Sequence, residues 1–64
     1  MTAQERMLEA LRSDVLTGAL QPGEQVVQEV IAEQHGVSRV PVREALQTLT
    51  SEGLITHLPH RGYF

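Results

Sequence analysis

Gly36-Val37-Ser38-Arg39-Val40-Pro41-Val42-Arg43-Glu44-Ala45-Leu46-Gln47-Thr48-Leu49-Thr50-Ser51-Glu52-Gly53, residues 36–53, reads as a tight turn feeding a capped amphipathic helix. Gly36 tolerates the left-handed conformation that ends a preceding helix. Ser38 is placed to cap the next helix, its hydroxyl accepting from a first-turn backbone N–H. With Ser38 as N-cap, Val37 and Val42 have the N′ and N4 spacing of a hydrophobic staple. Pro41 then falls in the first turn, where its missing N–H costs nothing. Val42, Ala45, Leu46 and Leu49 recur at three- and four-residue spacing and predict one buried stripe. Arg39, Arg43 and Gln47 follow at four-residue steps and predict a polar ridge along its edge. Gly53 stops the helix.

Upstream, Met7, Leu8, Leu11, Val15 and Leu16 predict an amphipathic helix over about residues 3–17, with Gly18 as its stop and Leu20 folding back on the core. Gln21-Pro22-Gly23-Glu24 is a turn signal. Gln25-Val26-Val27 is long enough for one bridging strand. A second helix is predicted over about residues 28–35, with Ile31 and Ala32 inward and Glu29 and Glu33 outward. Val27 or Gln28 stands at its start in place of a good capping residue, so this helix relies on packing.

Downstream, Leu54 to Leu58 has the branched residues and partial alternation of a strand, Pro59-His60-Arg61-Gly62 reads as a turn, and Tyr63-Phe64 begins a return strand. At least one of these two aromatics is expected in the core. A hairpin needs its second strand, so the expectation is a fragment of a longer protein. No internal repeat or low-complexity tract is present. The predicted fold is mainly α with a small β-hairpin: a winged helix-turn-helix in one domain over residues 1–64. The helix-turn-helix covers about residues 28–47 and the wing about residues 54–64.

A domain of 64 residues buries only about 60% of the surface that its unfolded chain exposes. It has room for one thin core and none for a lidded catalytic cleft. With no cysteine, neither a disulfide framework nor a thiolate zinc site is available. His35, His57 and His60 lack a Cys or Asp spacing that would complete a metal site, so no metal and no cofactor is expected. Ser38 and Ser51 have no neighbouring base, the carboxylates read as an exposed acidic face, and there is no glycine-rich phosphate loop. The chain is therefore not expected to be an enzyme. No apolar run approaches the roughly 18 residues of a membrane span, and the N-terminus lacks the order of a secretory signal. The expectation is a soluble, cytoplasmic domain with no membrane partner.

Net charge is −3, which by itself argues against a nucleic-acid partner. Its distribution does not. Residues 1–37 carry two arginines against six acidic residues, a balance of −4, whereas residues 38–64 carry three against two, a balance of +1. Arg39 and Arg43 lie in the first two turns of the second helix of the helix-turn-helix, the part that reaches base edges in the DNA major groove. An arginine there can bond bidentately to guanine O6 and N7. On the plainer alternative, this is a helical hairpin with solvated arginines, or with Arg43 paired to Gln47 or a carboxylate. His60-Arg61-Gly62 forms a basic, slim tip able to follow the minor groove, Gly62 permitting close backbone approach. Its plainer reading is a surface turn with one solvated arginine.

The sequence resembles the N-terminal winged helix-turn-helix domain of the GntR family of bacterial transcription regulators. The resemblance runs from Gly18 through Leu20, Pro22-Gly23, Ile31-Ala32-Glu33, Gly36-Val37-Ser38-Arg39, Pro41-Val42-Arg43-Glu44-Ala45-Leu46 and Gly53-Leu54 to Arg61-Gly62. The Pro41–Leu46 run, and the lack of a Pro-Ser-Glu-Arg segment before the second helix, look like the FadR-like subfamily. The resemblance implies a dimeric repressor or activator whose N-terminal domain binds a short palindromic operator in double-stranded DNA. It also implies a C-terminal domain, absent from these residues, that makes the homodimer and binds a metabolite effector. Ser38, Arg39 and Arg43 would contact DNA from the recognition helix, and His60, Arg61 and Gly62 from the wing. With their neighbours on the helix, the candidate DNA-binding set is Ser38, Arg39, Val40, Pro41, Arg43, Gln47, His60, Arg61 and Gly62. The chain departs from the family pattern at four places. Val40 stands where Thr is usual, Val27 where a polar cap is common, Glu29 where some members have arginine, and His60 where Asn is frequent. The acidic balance and Glu29 support a competing expectation, a winged-helix protein-interaction module without DNA binding.

Overall fold

The computed structural model describes all residues, 1–64, and contains helices α1 (Ala3–Thr17), α2 (Gln28–His35) and α3 (Arg39–Ser51). Strands β1 (His57–Leu58) and β2 (Gly62–Tyr63) follow. A capping box starts α1: the Glu5 backbone N–H donates to Thr2 Oγ1 at 3.1 Å, and the Thr2 N–H donates to Glu5 Oε1 at 3.0 Å. Gly18 ends the helix at φ 84° with its N–H on the Val15 carbonyl, and the Leu20 N–H reaches back to Asp14 at 2.9 Å. Leu20 is thereby laid half-buried against the core, as expected.

The inward face of α1 is narrower than the sequence predicts. Met7 and Leu11 are buried and Leu8 and Val15 pack partly, but Leu16 stands 70% exposed. At about 100° per residue, Leu16 lies roughly 180° around the helix from Met7. The chain then bridges to the wing at one point, Val26 pairing antiparallel with Tyr63 through a 2.7 Å bond from its N–H.

No side chain caps α2 at Val27, in keeping with its sequence. The helix is held by Ile31 and Ala32 in the core, and it closes at Gly36, which is left-handed with φ 65°. Ser38 is the N-cap of α3 with extended backbone, but its hydroxyl makes no capping bond, contrary to expectation. A cap hydroxyl accepts from the second or third helical N–H; Pro41 at the third position has none, which leaves only Val40, and the hydroxyl does not bond to it. Val42, Ala45, Leu46 and Leu49 are wholly removed from solvent. This stripe packs α3 against both α1 and α2. After the capping residue Glu52, Gly53 adopts φ 79° and the Leu54 N–H returns to the Leu49 carbonyl at 3.0 Å. Arg12 grips Glu52 through two bonds, at 3.2 and 2.6 Å, tying α1 to the end of α3.

The predicted strand 54–58 pairs over its second half only. Thr56 and Phe64 exchange reciprocal backbone bonds at 3.0 and 2.9 Å, and β1 pairs with β2 through His57↔Tyr63 and Leu58↔Gly62. Leu54 and Ile55 turn into the core instead of continuing the ladder. Gly62 belongs to β2, so the turn is one residue shorter than predicted. Tyr63 is buried and Phe64 half-buried.

Leu46→Ala is expected to destabilise the domain by about 2–5 kcal/mol, a large part of the total for a chain this small; urea titration measures it. At the start of α1, the Thr2 backbone N–H, then the Thr2 side chain, hold the Glu5 carboxyl below its ordinary value. A depressed folded-state value stabilises the fold above the ordinary carboxylate range, and that contribution disappears as pH falls through the depressed value. Glu5→Gln is therefore expected to lower Tm at pH 7, the gap from the parent closing in acid as the carboxyl takes up its proton. An undiminished gap in acid would contradict this role.

Candidate nucleic-acid interface

Burial of the α3 stripe dictates what faces outward from the same helix. Arg39, Val40, Arg43 and Gln47 are exposed, Pro41 is half-buried at the edge, and Ser38 is exposed at the start. The two ion pairs of the molecule are Arg12–Glu52 and Arg39–Glu29. Arg43 therefore has no carboxylate partner, nor does it bond to Gln47. Arg39 does have one: its Nη1 lies 3.3 Å from Glu29 Oε1, across the turn between α2 and α3. Both side chains stay largely in solvent, 69% and 62% exposed. The Glu29 backbone N–H and, second, the Arg39 guanidinium hold its carboxyl below the ordinary value. The sequence reading treats Glu29 as a solvated outer residue. The ten-residue separation follows no helical spacing and becomes a contact only when the turn folds.

The wing tip is a tight turn in which the Arg61 N–H donates to the Leu58 carbonyl at 3.0 Å. Pro59 fills its second position and His60 its third, with φ 64°, the pattern of a type II turn. Histidine is among the few non-glycine residues enriched in left-handed backbone, which accounts for His60 where the family favours Asn. Arg61 is exposed and its guanidinium has no partner. Its carbonyl accepts from Gln25 Nε2 at 3.0 Å, and Gly62, at φ 100°, lies against the same amide. Gln25 thus braces the tip. Sequence reasoning assigned it only to the bridging segment, and nothing but its place beside Val26 marks it out.

His57 lays its ring over that of its cross-strand partner Tyr63, centroids 4.6 Å apart. No three His, Cys, Asp or Glu side chains gather closely enough to hold a metal ion. No helix is long and apolar enough to cross a membrane. The largest surface depression, about 420 Å³ between the end of α1, the following loop and Phe64, is lined by none of the candidate residues.

A helix-turn-helix with an exposed basic ridge on its second helix, followed by a hairpin with a basic tip, defines a winged helix-turn-helix, a DNA-binding class of fold. Residues 3–64 match the family described as bacterial regulatory proteins, gntR family, and the chain belongs to that family. It is 42% identical over 60 residues to the HTH-type transcriptional repressor NagR of Bacillus subtilis (strain 168), covering 92% of this chain and 25% of that protein. It is 48% identical over 52 residues to the HTH-type transcriptional regulator Mce2R of Mycobacterium tuberculosis (strain CDC 1551 / Oshkosh), covering 80% of this chain and 22% of that one. It is 46% identical over 43 residues to the Nta operon transcriptional regulator of Aminobacter aminovorans, covering 67% and 20%. The chain thus spans a quarter or less of the length of these relatives. All three are transcriptional regulators, and this chain is a DNA-binding regulatory domain of the same family.

His60→Val, which forces a β-branched residue into left-handed backbone, is expected to cost about 1–2 kcal/mol, or about 4–8 °C in Tm per kcal/mol. His60→Asn should leave Tm close to that of the parent. Equal melting of both variants would show that the tip conformation is unimportant to stability.

Proposed function

We propose that the domain reads a short operator in double-stranded DNA with α3 in the major groove and the Leu58–Arg61 turn at the adjacent minor groove. The observation that carries this reading is the unpartnered, exposed Arg43 opposite a stripe with no solvent access. A guanidinium on a helix so firmly seated can meet guanine O6 and N7 as a fixed fork. Arg39 reads a neighbouring base or phosphate, and Gln47 extends the ridge along the groove. Val40 and Pro41 supply apolar contact at the helix start, where a thymine methyl suits them. Ser38, its hydroxyl left without a capping partner, joins the unpaired backbone N–H groups of α3 in holding a phosphate. Arg61 enters or grips the rim of the minor groove, with His60 and Gly62 shaping the tip around it.

The Pro41-Val42-Arg43-Glu44-Ala45-Leu46 run supports placement in the FadR-like subfamily. On that reading the full protein is a homodimer on a palindromic operator, controlled by a metabolite bound to a C-terminal domain, and acts in the cytoplasm. The modest basic surface of a single domain then gives weak binding that salt reduces steeply. Two linked half-sites restore affinity through avidity.

Titration of Arg43→Ala and Arg61→Ala against a duplex that the parent domain selects from a random pool, and against a scrambled duplex, tests the two contacts. Arg43→Ala is expected to weaken operator binding by about 1–3 kcal/mol and to leave the scrambled duplex nearly unchanged. Arg61→Ala should weaken both duplexes and flatten the dependence of log K on log salt by about 0.9. Loss of both duplexes to the same degree in Arg43→Ala would sink the base-reading role.

A further inference from the structure

We infer that Glu29 is a positioning residue for Arg39 that raises sequence discrimination and lowers affinity for DNA in general; this rests on the DNA-reading role proposed above. Glu29 stands in the first turn of α2 and Arg39 at the first position of α3, and the turn at 36–38 brings them to 3.3 Å. The carboxylate is carried on a helix seated in the core by Ile31 and Ala32. An acceptor on a helix so placed restricts the rotamers open to a long, flexible arginine. One nitrogen, Nη1, makes the contact, leaving the other guanidinium donors for a base edge.

The pair does not hold the fold together. It has a single long bond between two well-exposed side chains, a kind that adds little to stability. Arg12–Glu52, by contrast, is bidentate and joins α1 to the end of α3. What Glu29 changes is charge. Of the three arginines in residues 38–64, only Arg43 and Arg61 remain unneutralised. The sequence-independent attraction to phosphates scales with the number of unneutralised cations at the interface, so Glu29 subtracts from it. A directed hydrogen bond from Arg39 to a base does not need that net charge. Without Glu29, Arg39 is free to swing to the nearest phosphate of any duplex.

The test starts with a duplex that the parent chain selects from a random pool, and a mixed-sequence duplex of equal length. Affinities for both, over a salt series, are compared for the parent, Glu29→Gln, Glu29→Asp, Arg39→Ala and the Glu29→Gln/Arg39→Ala pair. Glu29→Gln is expected to tighten mixed-sequence binding and steepen its salt slope by about 0.9. It should also reduce the preference ratio about tenfold, within the range of one bidentate base contact. The same change in the Arg39→Ala background should leave the ratio unaltered. Glu29→Asp keeps the charge but not the reach, and is expected to lose preference without tightening on mixed sequence. Equal tightening on both duplexes by Glu29→Gln, with Glu29→Asp indistinguishable from the parent, would reduce Glu29 to bulk charge and overturn the inference. A parent chain that binds no duplex at any salt would overturn the DNA-reading role as well.

Discussion

Everything the domain presents to a partner depends on the burial of four side chains, Val42, Ala45, Leu46 and Leu49, on one face of α3. They hold the helix against α1 and α2 with no solvent access, which fixes its rotation about its own axis. That rotation decides which residues face outward. A helix turned by one position would bury Arg43 and expose Leu49. Neither flanking helix is strong in isolation. α2 lacks a side-chain cap, and α1 contributes a narrow face centred on Met7 and Leu11. The α3 stripe is therefore the shared surface on which both find their stability, in keeping with the rule that short helices form through packing more than through propensity.

Most of this was readable from the residues, because it is periodic or local. Three- and four-residue spacing located the buried stripe, Gly18, Gly36 and Gly53 marked the helix ends, and the brevity of Gln25-Val26-Val27 limited it to one bridge. The failures have physical causes of two kinds. Leu16 and the Ser38 hydroxyl depart from expectation because geometry overrides a general preference: angular position on the helix in one case, and in the other a first turn where Pro41 removes one of the two N–H groups that a cap can reach. The Glu29–Arg39 and Gln25–Arg61 contacts were not readable. Each joins residues far apart in the chain, and no spacing rule encodes a meeting that depends on the final path of the turns. The Thr2–Glu5 capping box is local, and its Thr-x-x-Glu spacing is legible at the very start of the chain.

Charge segregation reconciles an acidic chain with a nucleic-acid partner. The acidic excess lies in the first 37 residues, and the exposed cations that lack partners include Arg43 on α3 and Arg61 on the wing. Such a molecule is drawn to DNA by only part of its surface. Its orientation on approach is constrained before any base is touched.

The wing is fastened twice: it follows α3 through residues 52–56, which pack Ile55 into the core, and it is held from the side by Val26 and Gln25, just ahead of α2. The helix and the hairpin proposed to meet the two grooves are thus tied a second time, through the connection that leads out of α1. Its length and stiffness help to set how far apart the two proposed footholds sit along the double helix. Lengthening that connection would alter the footprint while leaving every reading side chain unchanged, so operator geometry and operator sequence can diverge independently in such a protein.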